Sequence, residues 1–403
     1  MSEWRKLPLK EITVKIGSGS TPTGGSGAYK ETGVSLIRSQ NVLDFSFTNN
    51  GLAFIDEEQA HALRNVIVEP QDVLLNITGD SVARCCSAPR EWLPARVNQH
   101  VAIIRANPKH LDSLFLKYSL ISIKDELLSL SEIGGTRNAL TKSMLENLKL
   151  FVPSVIEQKA IASVLSSIDN KIDLLHRQNK MLESMANTLF RQWFIEESQD
   201  EWPEATLNQY VELNKSSIDK KYNIKEIQYL DTGSLTKGKI SKLQKILLSD
   251  APSRAKRLVN NFDIIISTVR PDQCHYGICI APPSNLVVST GFCVITSKSL
   301  SPFFIYYLIT SEDMTEYLHS IAEGSTSTYP SLKPEDIGNI PFLYPSEEKL
   351  KNFHDLVGSY WNKIHNNHKK IQTLETLRDT LLPKLMSGDV RVQYAEEAIA
   401  SVA

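Results

Sequence analysis

The apolar positions of residues 154–197 recur in alternating steps of four and three, which is the spacing of a heptad repeat. This spacing puts the apolar side chains on one stripe of a helix, so it predicts a continuous helix of about 60 Å, at about 1.5 Å per residue. Ser154 and Glu157 have the spacing of a capping box at its start. The stripe consists of Ile161, Leu165, Ile168, Ile172, Leu175, Asn179, Leu182, Ala186, Leu189 and Trp193.

Residues 346–387 carry a second stripe of the same kind. Glu347 and Glu348 lie in its first turn, where the helix dipole favours negative charge, and Gly388 follows its last turn. The pattern predicts a second long helix. Its stripe consists of Phe353, Val357, Tyr360, Ile364, Asn367, Ile371, Leu374, Arg378, Leu381 and Leu385, in which Arg378 is expected to turn towards solvent or a partner protein.

Each stripe contains one asparagine, Asn179 in the first and Asn367 in the second. If the helices pair antiparallel, the register that opposes these two residues also opposes Leu175 to Ile371. A buried Asn pair would fix this register at some cost in stability. Two alternatives stay open: either Asn lies at a solvated edge and specifies nothing, or the heptads pair between chains and drive homo-oligomerisation.

Several segments recur about 190 residues later in the same order, which favours pairing within one chain. Residues 170–172 (NKI) match 362–364 (NKI), and 72–78 (DVLLNIT) resemble 263–269 (DIIISTV). Residues 134–136 (GGT) parallel 324–326 (GST). The chain therefore contains two copies of one unit, each a variable globular part followed by a long helix, and the symmetry is that of a pseudo-dimer.

Short apolar runs predict strands in both globular parts, and longer periodic runs predict helices. We expect an α+β fold in which two pseudo-symmetric α/β domains are separated by two long antiparallel coiled-coil helices. The strands are predicted at 34–37, 72–77, 101–105, 227–230, 263–268 and 287–295, and the helices at 111–130 and 302–318. The predicted boundaries are 1–153 and 199–345 for the domains, 154–198 and 346–387 for the long helices, and 388–403 for a C-terminal tail.

The composition is that of an ordinary globular protein, with 403 residues, 41% of them apolar, and a net charge of −2. The length favours two or three domains. No run of 18 apolar residues predicts a membrane span, and residues 1–15 lack the apolar stretch of a signal peptide, so we expect a cytoplasmic protein. Because the net charge is near zero, any basic face must be local, as in residues 215–257, with 11 Lys or Arg against 4 Asp or Glu.

The motifs of an independent catalytic centre are missing from the sequence. The Gly-rich residues 17–27 lack the Lys and the following helix of a phosphate-binding loop. No HExxH or GxSxG occurs, nor the Asn-Pro-Pro-aromatic motif with which an adenine-N6 methyltransferase would hold the amino group. The five cysteines form no CxxC pair, and the spacing of Cys274, His275, Cys279 and Cys293 fits no standard metal site. We predict no catalytic residue, metal or cofactor in this chain.

Two divergent globular parts, each followed by a long helix, resemble the specificity subunit of a type I restriction–modification system. Residues 18–22 (SGSTP) and 34–38 (VSLIR) resemble the opening of a target-recognition domain of that family, and 72–75 and 263–266 resemble its central strand. Residues 134–136 with 145–153 (LENLKLFVP) resemble its close, and 189–194 (LFRQWF) and 382–388 (LPKLMSG) the ends of its two helices. The resemblance covers nearly the whole chain, and the order and duplication of the motifs make it specific.

The resemblance implies a non-catalytic DNA-recognition subunit. Each domain would read one half of a bipartite site in double-stranded DNA, and the helix pair would set the gap and dock two modification (methyltransferase) subunits. Two restriction (translocase-nuclease) subunits would complete the complex. S-adenosylmethionine, ATP and Mg would then be used by the partner subunits, and no membrane is involved.

Base recognition needs Arg or Lys for guanine and Asn or Gln for adenine, whereas hydroxyls and ammonium groups suit phosphates. In the first domain we predict DNA contacts from Ser20, Thr21, Arg38, Gln40, Asn41, Asn98, Gln99, Thr136, Arg137 and Asn138. In the second domain we predict them from Thr232, Lys237, Lys239, Thr268, Arg270, Ser289, Thr290, Ser325, Thr326 and Tyr329.

Two other classes of function stay open at this point. The first is a DNA methyltransferase or nuclease acting alone, which would need the missing motifs. The second is a coiled-coil scaffold without a DNA role, which salt-dependent DNA binding would exclude.

Overall fold

The structure is a computed structural model that describes residues 4–132, 138–219, 222–325, 329–390 and 392. The chain divides into two compact units. Unit 1 consists of residues 1–175 and 369–403, and unit 2 of residues 176–368. Each unit contains one globular part and a portion of both long helices, so the division cuts across the helices rather than at their ends.

Unit 1 contains two four-stranded sheets and a two-stranded sheet. The strand orders are β4-β3-β8-β5, β2-β9-β6-β7 and β1-β10, and all pairs are antiparallel except β3 with β8. The strands are β1 (Arg5–Pro8), β2 (Thr13–Ser18), β3 (Val34–Ile37), β4 (Ala53–Ile55), β5 (Ile67–Val68), β6 (Val73–Asn76), β7 (Cys85–Ser87), β8 (Ala95–Val97), β9 (Val101–Ala106) and β10 (Lys149–Val152). The helices are α1 (Leu9–Ile12), α2 (Glu57–Ala62), α3 (Ser113–Ser122), α4 (Lys124–Glu132) and α5 (Lys142–Asn147), followed by the long helix α6 (Val155–Arg191).

Unit 2 repeats this topology strand for strand. Its sheets are β16-β13-β20-β17, β12-β21-β18-β19 and β11-β22, with a small hairpin β14-β15, and the parallel pair is again the inner one, β13 with β20. The strands are β11 (Glu204–Thr206), β12 (Val211–Leu213), β13 (Glu226–Leu230), β14 (Leu235–Thr236), β15 (Lys239–Ile240), β16 (Gln244–Leu247), β17 (Ala255–Leu258), β18 (Ile264–Ser267), β19 (Tyr276–Ile278), β20 (Leu286–Ser289), β21 (Phe292–Ser297) and β22 (Pro341–Leu343). The helices are α7 (Pro302–Thr310), α8 (Glu312–Glu323), α9 (Pro334–Gly338) and the long helix α10 (Glu347–Ser387).

Three predicted elements are divided in the structure. The helix expected at 111–130 is α3 and α4, and the one expected at 302–318 is α7 and α8, because Ser311 caps α8 by accepting from the Met314 amide. The strand expected at 287–295 is β20 and β21. A turn separates them, in which the Ser289 hydroxyl accepts from the Gly291 amide at 3.1 Å.

The long helices run antiparallel within each unit. In unit 1, Trp4 lies beside Gly388 at the end of α10 and donates to Glu157 at the start of α6, whereas Asp169 is paired with Arg378. Leu175 and Ile371 are both buried in the same apolar cluster. In unit 2, Glu197 after the end of α6 pairs with Lys349 at the start of α10.

The two asparagines of the heptad stripes meet inside unit 2. The Asn367 amide donates to the Asn179 oxygen at 2.7 Å and to the Gln178 oxygen at 2.9 Å. Asn179 and Asn367 are 4% and 1% exposed, so the alternative of a solvated edge does not apply. The observed register is the one in which Asn179 opposes Asn367.

Charged side chains join α3 to the long helices in unit 1. The Asp169 carboxylate accepts from Lys117 at 3.0 Å, from the Tyr118 hydroxyl at 2.6 Å and from Arg378 at 3.3 Å. The Arg378 guanidinium also lies 3.6 Å from the centre of the Phe45 ring. The arginine that stood out in the apolar stripe is therefore largely buried, and its charge is balanced inside the unit.

Aromatic rings join α7 to the long helices in unit 2. Phe194 packs edge to face on Phe304 and Phe353, with ring centres 4.9 and 5.0 Å apart. Tyr306 meets Trp361 at 5.5 Å in the same geometry. Such pairs add about 0.5–1.5 kcal/mol each beyond the burial of their area.

Candidate DNA-reading surface

Five segments of unit 1 meet at one edge of its sheets: residues 19–21, 38–41, 77–81, 98–100 and 138, named here loop edge 1. Gly19 donates its amide to Asn98, and Asn98 donates to Ile37. Gly79 donates to Asn138 at 3.2 Å. A Cβ atom at Gly19 would lie 1.6 Å from the Val97 carbonyl oxygen, so the approach of this loop to β8 requires glycine. The sequence-predicted loops therefore come together, although they are up to 119 residues apart.

Loop edge 1 contains one arginine, Arg38. Its guanidinium lies 5.1 Å from the centre of the Tyr29 ring and donates to the Gly51 carbonyl at 2.5 Å. Its Nε is buried and has no hydrogen-bond partner in the described part of the chain. The ring and the carbonyl hold the side chain in one place, which suits an arginine that reads a base.

Two asparagines predicted to read bases use their side chains for hydrogen bonds within the loops. Asn41 is 0% exposed, its oxygen accepts from the Arg38 amide, and its nitrogen donates to the Thr48 and Asn50 carbonyls. Asn98 is 7% exposed and its oxygen accepts from the His100 amide. Asn41 and Asn98 therefore brace their loops in this structure, and base contact by either residue stays a prediction.

The other predicted residues of unit 1 that the structure describes are accessible. Gln40 donates to Gly51 at 3.1 Å, and Gln99 contacts the His100 ring at 2.9 Å, but both side chains are exposed. Ser20, Thr21 and Asn138 are also exposed. Thr136 and Arg137 lie outside the described residues.

Unit 2 has an equivalent group of loops, residues 232–234, 268–274, 289–291, 325 and 329–331, named here loop edge 2. Thr268 donates to the Gly291 carbonyl from its amide at 2.9 Å and from its hydroxyl at 3.0 Å. The Arg270 amide donates to the Pro330 carbonyl at 3.0 Å. These bonds tie the loop after β18 to the turn after β20 and to the segment before α9.

Arg270 is exposed at this edge and has left-handed backbone geometry, with φ of 51°. This conformation is uncommon for a residue other than glycine. The guanidinium lies 4.8 Å from the centre of the Tyr329 ring, which is 53% exposed. The strained loop and the ring together aim a cation at solvent, as expected of a binding residue.

The other predicted residues of unit 2 fall into three groups. Ser289 is 0% exposed and its hydroxyl closes the turn to Gly291, so it supports the loop here and its DNA contact stays a prediction. Thr232, Thr268, Thr290 and Ser325 are partly buried within loop edge 2, whereas Lys237 and Lys239 are exposed on the β14-β15 hairpin. Thr326 lies outside the described residues.

The aspartate of the repeated strand motif is structural in both units. Asp72 is 0% exposed and takes two hydrogen bonds from Arg105, at 2.7 and 2.9 Å. The equivalent Asp263 accepts from the Thr296 hydroxyl at 2.7 Å and from the Asn260 amide at 2.7 Å. Burial raises the pKa of Asp263, and these hydrogen bonds oppose the shift. Each carboxylate fixes the start of a central strand rather than facing DNA.

Sequence reasoning missed His100, His275 and Arg254. His100 contacts the Thr78 hydroxyl at 2.5 Å, and His275 lies 3.0 Å from Gln273. Arg254 is exposed, and its carbonyl accepts from the Thr290 amide at 2.8 Å at loop edge 2. The position of His100 directly beside Gln99 was an available signal, whereas His275 and Arg254 are next to no predicted DNA contact in the sequence.

The cysteines and acidic groups form no further site in the described residues. No group of three His, Cys, Asp or Glu there is placed to hold a metal ion. Burial raises the pKa of Cys86, Cys279 and Cys293 to about 12, so these thiols remain protonated at neutral pH. Within the same described segments, no helix is both long and apolar enough to span a bilayer.

Comparison with known proteins agrees with this architecture. The family profile of the type I restriction modification DNA specificity domain matches residues 1–184. The MjaIX specificity subunit of a type I restriction enzyme from Methanocaldococcus jannaschii is 30% identical over 97% of this chain and 94% of its own length. This chain belongs to the type I restriction enzyme specificity subunits. The MjaVIII specificity subunit of the same organism is 25% identical over 82% of this chain and 81% of its own length.

A solved type I S subunit from M. genitalium has the same fold, with a TM-score of 0.60 over 95% of this chain and 96% of that chain, at 17% identity. As a specificity subunit, the chain carries DNA recognition rather than catalysis, binds DNA and assembles with the other subunits of its restriction enzyme.

Proposed function

We propose that each unit reads one half of a bipartite DNA site, with loop edge 1 and loop edge 2 as the reading surfaces. The duplicated topology carries this proposal, because the same strand ends bring polar loops together in both units. The loops differ in sequence while the strands that hold them do not differ in order. Two different half-sites follow from such an arrangement, and the long helices would set the gap between them.

Phosphate and base contacts divide among the accessible residues of the two edges. Arg38 and Arg270 stand against aromatic rings and are assigned to bases, together with Gln40, Gln99 and Asn138. Hydroxyl and ammonium groups are assigned to phosphates or to the positioning of loops, since such contacts carry no sequence information. The phosphate set is Ser20, Thr21, Thr232, Lys237, Lys239, Thr268, Thr290 and Ser325, and Tyr329 supports Arg270.

The long helices would dock two modification subunits. Met181 and Met185 are 65% and 44% exposed on α6 in unit 2, beside Lys180 and Tyr360, and they line an open groove of about 610 Å³. In unit 1, Ile156 and Leu174 on the same helix are 84% and 53% exposed. Apolar side chains in such a groove with a polar rim favour a protein partner. Restriction subunits, and the S-adenosylmethionine, ATP and Mg that the chemistry needs, would join through that assembly.

Co-expression with the cognate modification subunit tests this function. We expect a complex of two modification subunits with one copy of this chain, measured by native mass spectrometry. Host DNA should gain methyladenine at one split motif, detected by single-molecule sequencing. A chain that recruits no partner and leaves DNA unmethylated would support the scaffold alternative, and methylation by this chain alone would support the stand-alone enzyme.

A further inference from the structure

A histidine and a glutamine form a hydrogen-bonded pair at loop edge 2. The His275 Nε2 lies 3.0 Å from the Gln273 side-chain oxygen. On the other side of the ring, Nδ1 lies 2.5 Å from the Leu235 carbonyl oxygen and 3.2 Å from the Thr236 hydroxyl. Gln273 is exposed, whereas His275 is partly buried. The pair therefore has an anchored inner member and an outer member that is open to solvent.

The partners of His275 determine which ring nitrogen carries a proton. A carbonyl oxygen only accepts, so the Nδ1 beside Leu235 must be an N–H donor. A neutral ring with its proton on Nδ1 leaves Nε2 as an acceptor, which requires the NH2 end of the Gln273 amide. The oxygen end that faces Nε2 in the structure requires a second ring proton, and hence the imidazolium ion. The direction of the Gln273 amide is thereby coupled to the charge of the His275 ring.

The equivalent position of unit 1 has no histidine. The 191-residue offset of the repeated strand motif matches His275 to Arg84. Both residues accept the same backbone hydrogen bond, His275 from the Ser267 amide at 2.8 Å and Arg84 from the Asn76 amide at 2.9 Å. The strand pairing is thus the same with either side chain, so the scaffold does not depend on the imidazole ring at this position.

Loop edge 1 contains a second glutamine–histidine pair at a different place in the repeat. The Gln99 side-chain nitrogen lies 2.9 Å from the His100 Nε2, and the His100 Nδ1 lies 2.5 Å from the Thr78 hydroxyl. The same offset matches His100 to Gly291, so the repeat does not account for both pairs. Here the amide nitrogen faces the ring, which is the opposite direction from Gln273. A hydroxyl can donate or accept, so it does not fix the ring proton as a carbonyl does.

The His275 ring forms its hydrogen bonds with neutral groups, and no residue in the described part of the chain forms an ion pair with it. Histidine is the side chain that ordinarily changes charge between about pH 5 and 8. The Asp272 carboxylate of the same turn lies 3.5 Å from the His319 Nδ1 on α8. The charged and titratable residues of the turn, strand and hairpin that carry the pair are Lys237, Lys239, Arg270, Asp272, Cys274 and Tyr276.

We propose that Gln273 reads a base in the half-site of unit 2 and that His275 is the positioning residue that sets the direction of its amide. The inference rests on the proposed reading by loop edge 2 and deepens it. With a neutral ring, the Gln273 oxygen faces DNA and selects a base with an amino group, cytosine or adenine. With a protonated ring, the NH2 end faces DNA and selects an acceptor base, guanine or thymine. One base position is therefore read differently at high and low pH.

The first test measures the ring protons of His275 in the isolated chain labelled with ¹⁵N-histidine. Long-range ¹H–¹⁵N correlation spectra distinguish the two neutral tautomers from each other and from the imidazolium. We expect the Nδ1–H tautomer at about pH 8.5 and the imidazolium at about pH 5.5, with the signal assigned by its absence in His275→Asn. Gln273→Ala should keep the Nδ1–H tautomer, because the Leu235 carbonyl alone requires it. The Nε2–H tautomer at the higher pH, or a ring that stays neutral at the lower pH, would overturn the proposal.

The second test selects DNA from a library randomised in both half-sites, with the complex of this chain and its modification subunit. Bound sequences are compared at about pH 8.5 and about pH 6. One position should change from amino bases to acceptor bases at the lower pH, by at least about threefold in their ratio, since one hydrogen bond is exchanged. This position should lie in the half-site that Arg270→Ala weakens.

Four variants separate the two residues of the pair. Gln273→Ala should remove the preference at this position at both pH values. Gln273→Glu offers only acceptor oxygens, so it should keep the preference for amino bases at both. His275→Asn keeps a donor for the Leu235 carbonyl but does not reach the amide, so the pH dependence should vanish while DNA binding persists. His319→Gln is the matched control, because His319 contacts Asp272 of the same turn and should leave the pH dependence unchanged.

The outcomes of the selection distinguish the function from the pair. A library from which neither half-site is selected contradicts the proposed function itself. Selection of both half-sites with identical preferences in wild type and Gln273→Ala contradicts only base reading by Gln273. A pH dependence that persists in His275→Asn assigns the change to another group and contradicts the positioning role of His275.

Discussion

In unit 1 the helix α3 is held to the long helices by charges, and in unit 2 the equivalent helix α7 is held by aromatic rings. Lys117 and Tyr118 meet Asp169 in the first case, and Tyr306 and Tyr307 lie beside Trp361 in the second. The backbone topology of the two units is the same. The same backbone topology is therefore compatible with an ionic junction in one unit and an aromatic junction in the other.

The difference between the ionic and the aromatic junction favours the correct pairing of α3 and α7, each with its own segment of the long helices. If Lys117 packed against the helix segments of unit 2, it would lose its partner carboxylate. A buried ammonium group without a counter-charge costs about 3–5 kcal/mol. Apolar stripes alone would not distinguish the two helix segments. The ionic junction therefore adds specificity to a coiled coil whose two halves share a heptad pattern.

The largest effect on this comparison is expected from Asp169→Ala. The substitution leaves Lys117 and Arg378 without their shared carboxylate, and unit 1 should lose about 3–5 kcal/mol of unfolding free energy. Hydrogen exchange of the α3 amides measures the unfolding free energy of unit 1, and exchange of the α7 amides in unit 2 serves as the internal control.

Replacing the whole ionic group should cost much less. In the triple variant Lys117→Met, Asp169→Leu, Arg378→Met, no charge is left unpaired, so most of the lost stability should return. If the triple variant is as unstable as Asp169→Ala, then packing rather than charge balance governs this junction.

The next effect concerns the two loop edges, where Arg270→Ala should weaken recognition of one half-site only. Loss of a bidentate contact to guanine costs about 1–3 kcal/mol, or roughly 5- to 150-fold in affinity. Methylation of a library randomised in both half-sites measures this, and Arg38→Ala is the matched variant for the other half. Equal weakening of both half-sites would reassign Arg270 to phosphate contact or folding.

A smaller effect is expected at the Asn pair. Asn367→Leu leaves the buried Asn179 side-chain oxygen without its hydrogen-bond donor, and unit 2 should lose about 1–3 kcal/mol. The double variant Asn179→Leu, Asn367→Leu should recover this loss, because no polar group remains unpaired. Thermal unfolding of the four proteins in the cycle gives the coupling energy, and a coupling of zero would contradict a role in register.

The sequence predicted the framework well because its signals are periodic. The heptad stripes placed both long helices within a few residues, and their single asparagines predicted the observed register. The repeat itself predicted two units of one topology. Local breaks were missed, since the Ser311 cap and the turn at Gly291 depend on one hydrogen bond each.

The surroundings of the candidate site residues could not be predicted from the sequence, for a physical reason. Asn41 and Ser289 have the residue types of DNA readers, but their polar atoms are consumed by hydrogen bonds inside loops. Arg378 looked misplaced in an apolar stripe because Asp169 is 209 residues away and Phe45 lies in another element. Side-chain partners distant in sequence follow from the tertiary structure and not from spacing.

The smallest expected effect is a pH dependence confined to unit 2. Burial lowers the pKa of His368, and the neighbouring His176 and His365 lower it further. The charged form is thus disfavoured in the folded state, so stability is full above the unfolded pKa of about 6.5 and falls as the pH drops through it. His368 is partly exposed, which limits the effect to about a few tenths of a kcal/mol.

His368→Gln should flatten the decline in Tm between pH 7 and about 5, whereas His61→Gln on the exposed helix α2 of unit 1 should not. An unchanged slope in His368→Gln would place the acid sensitivity elsewhere than in this histidine group.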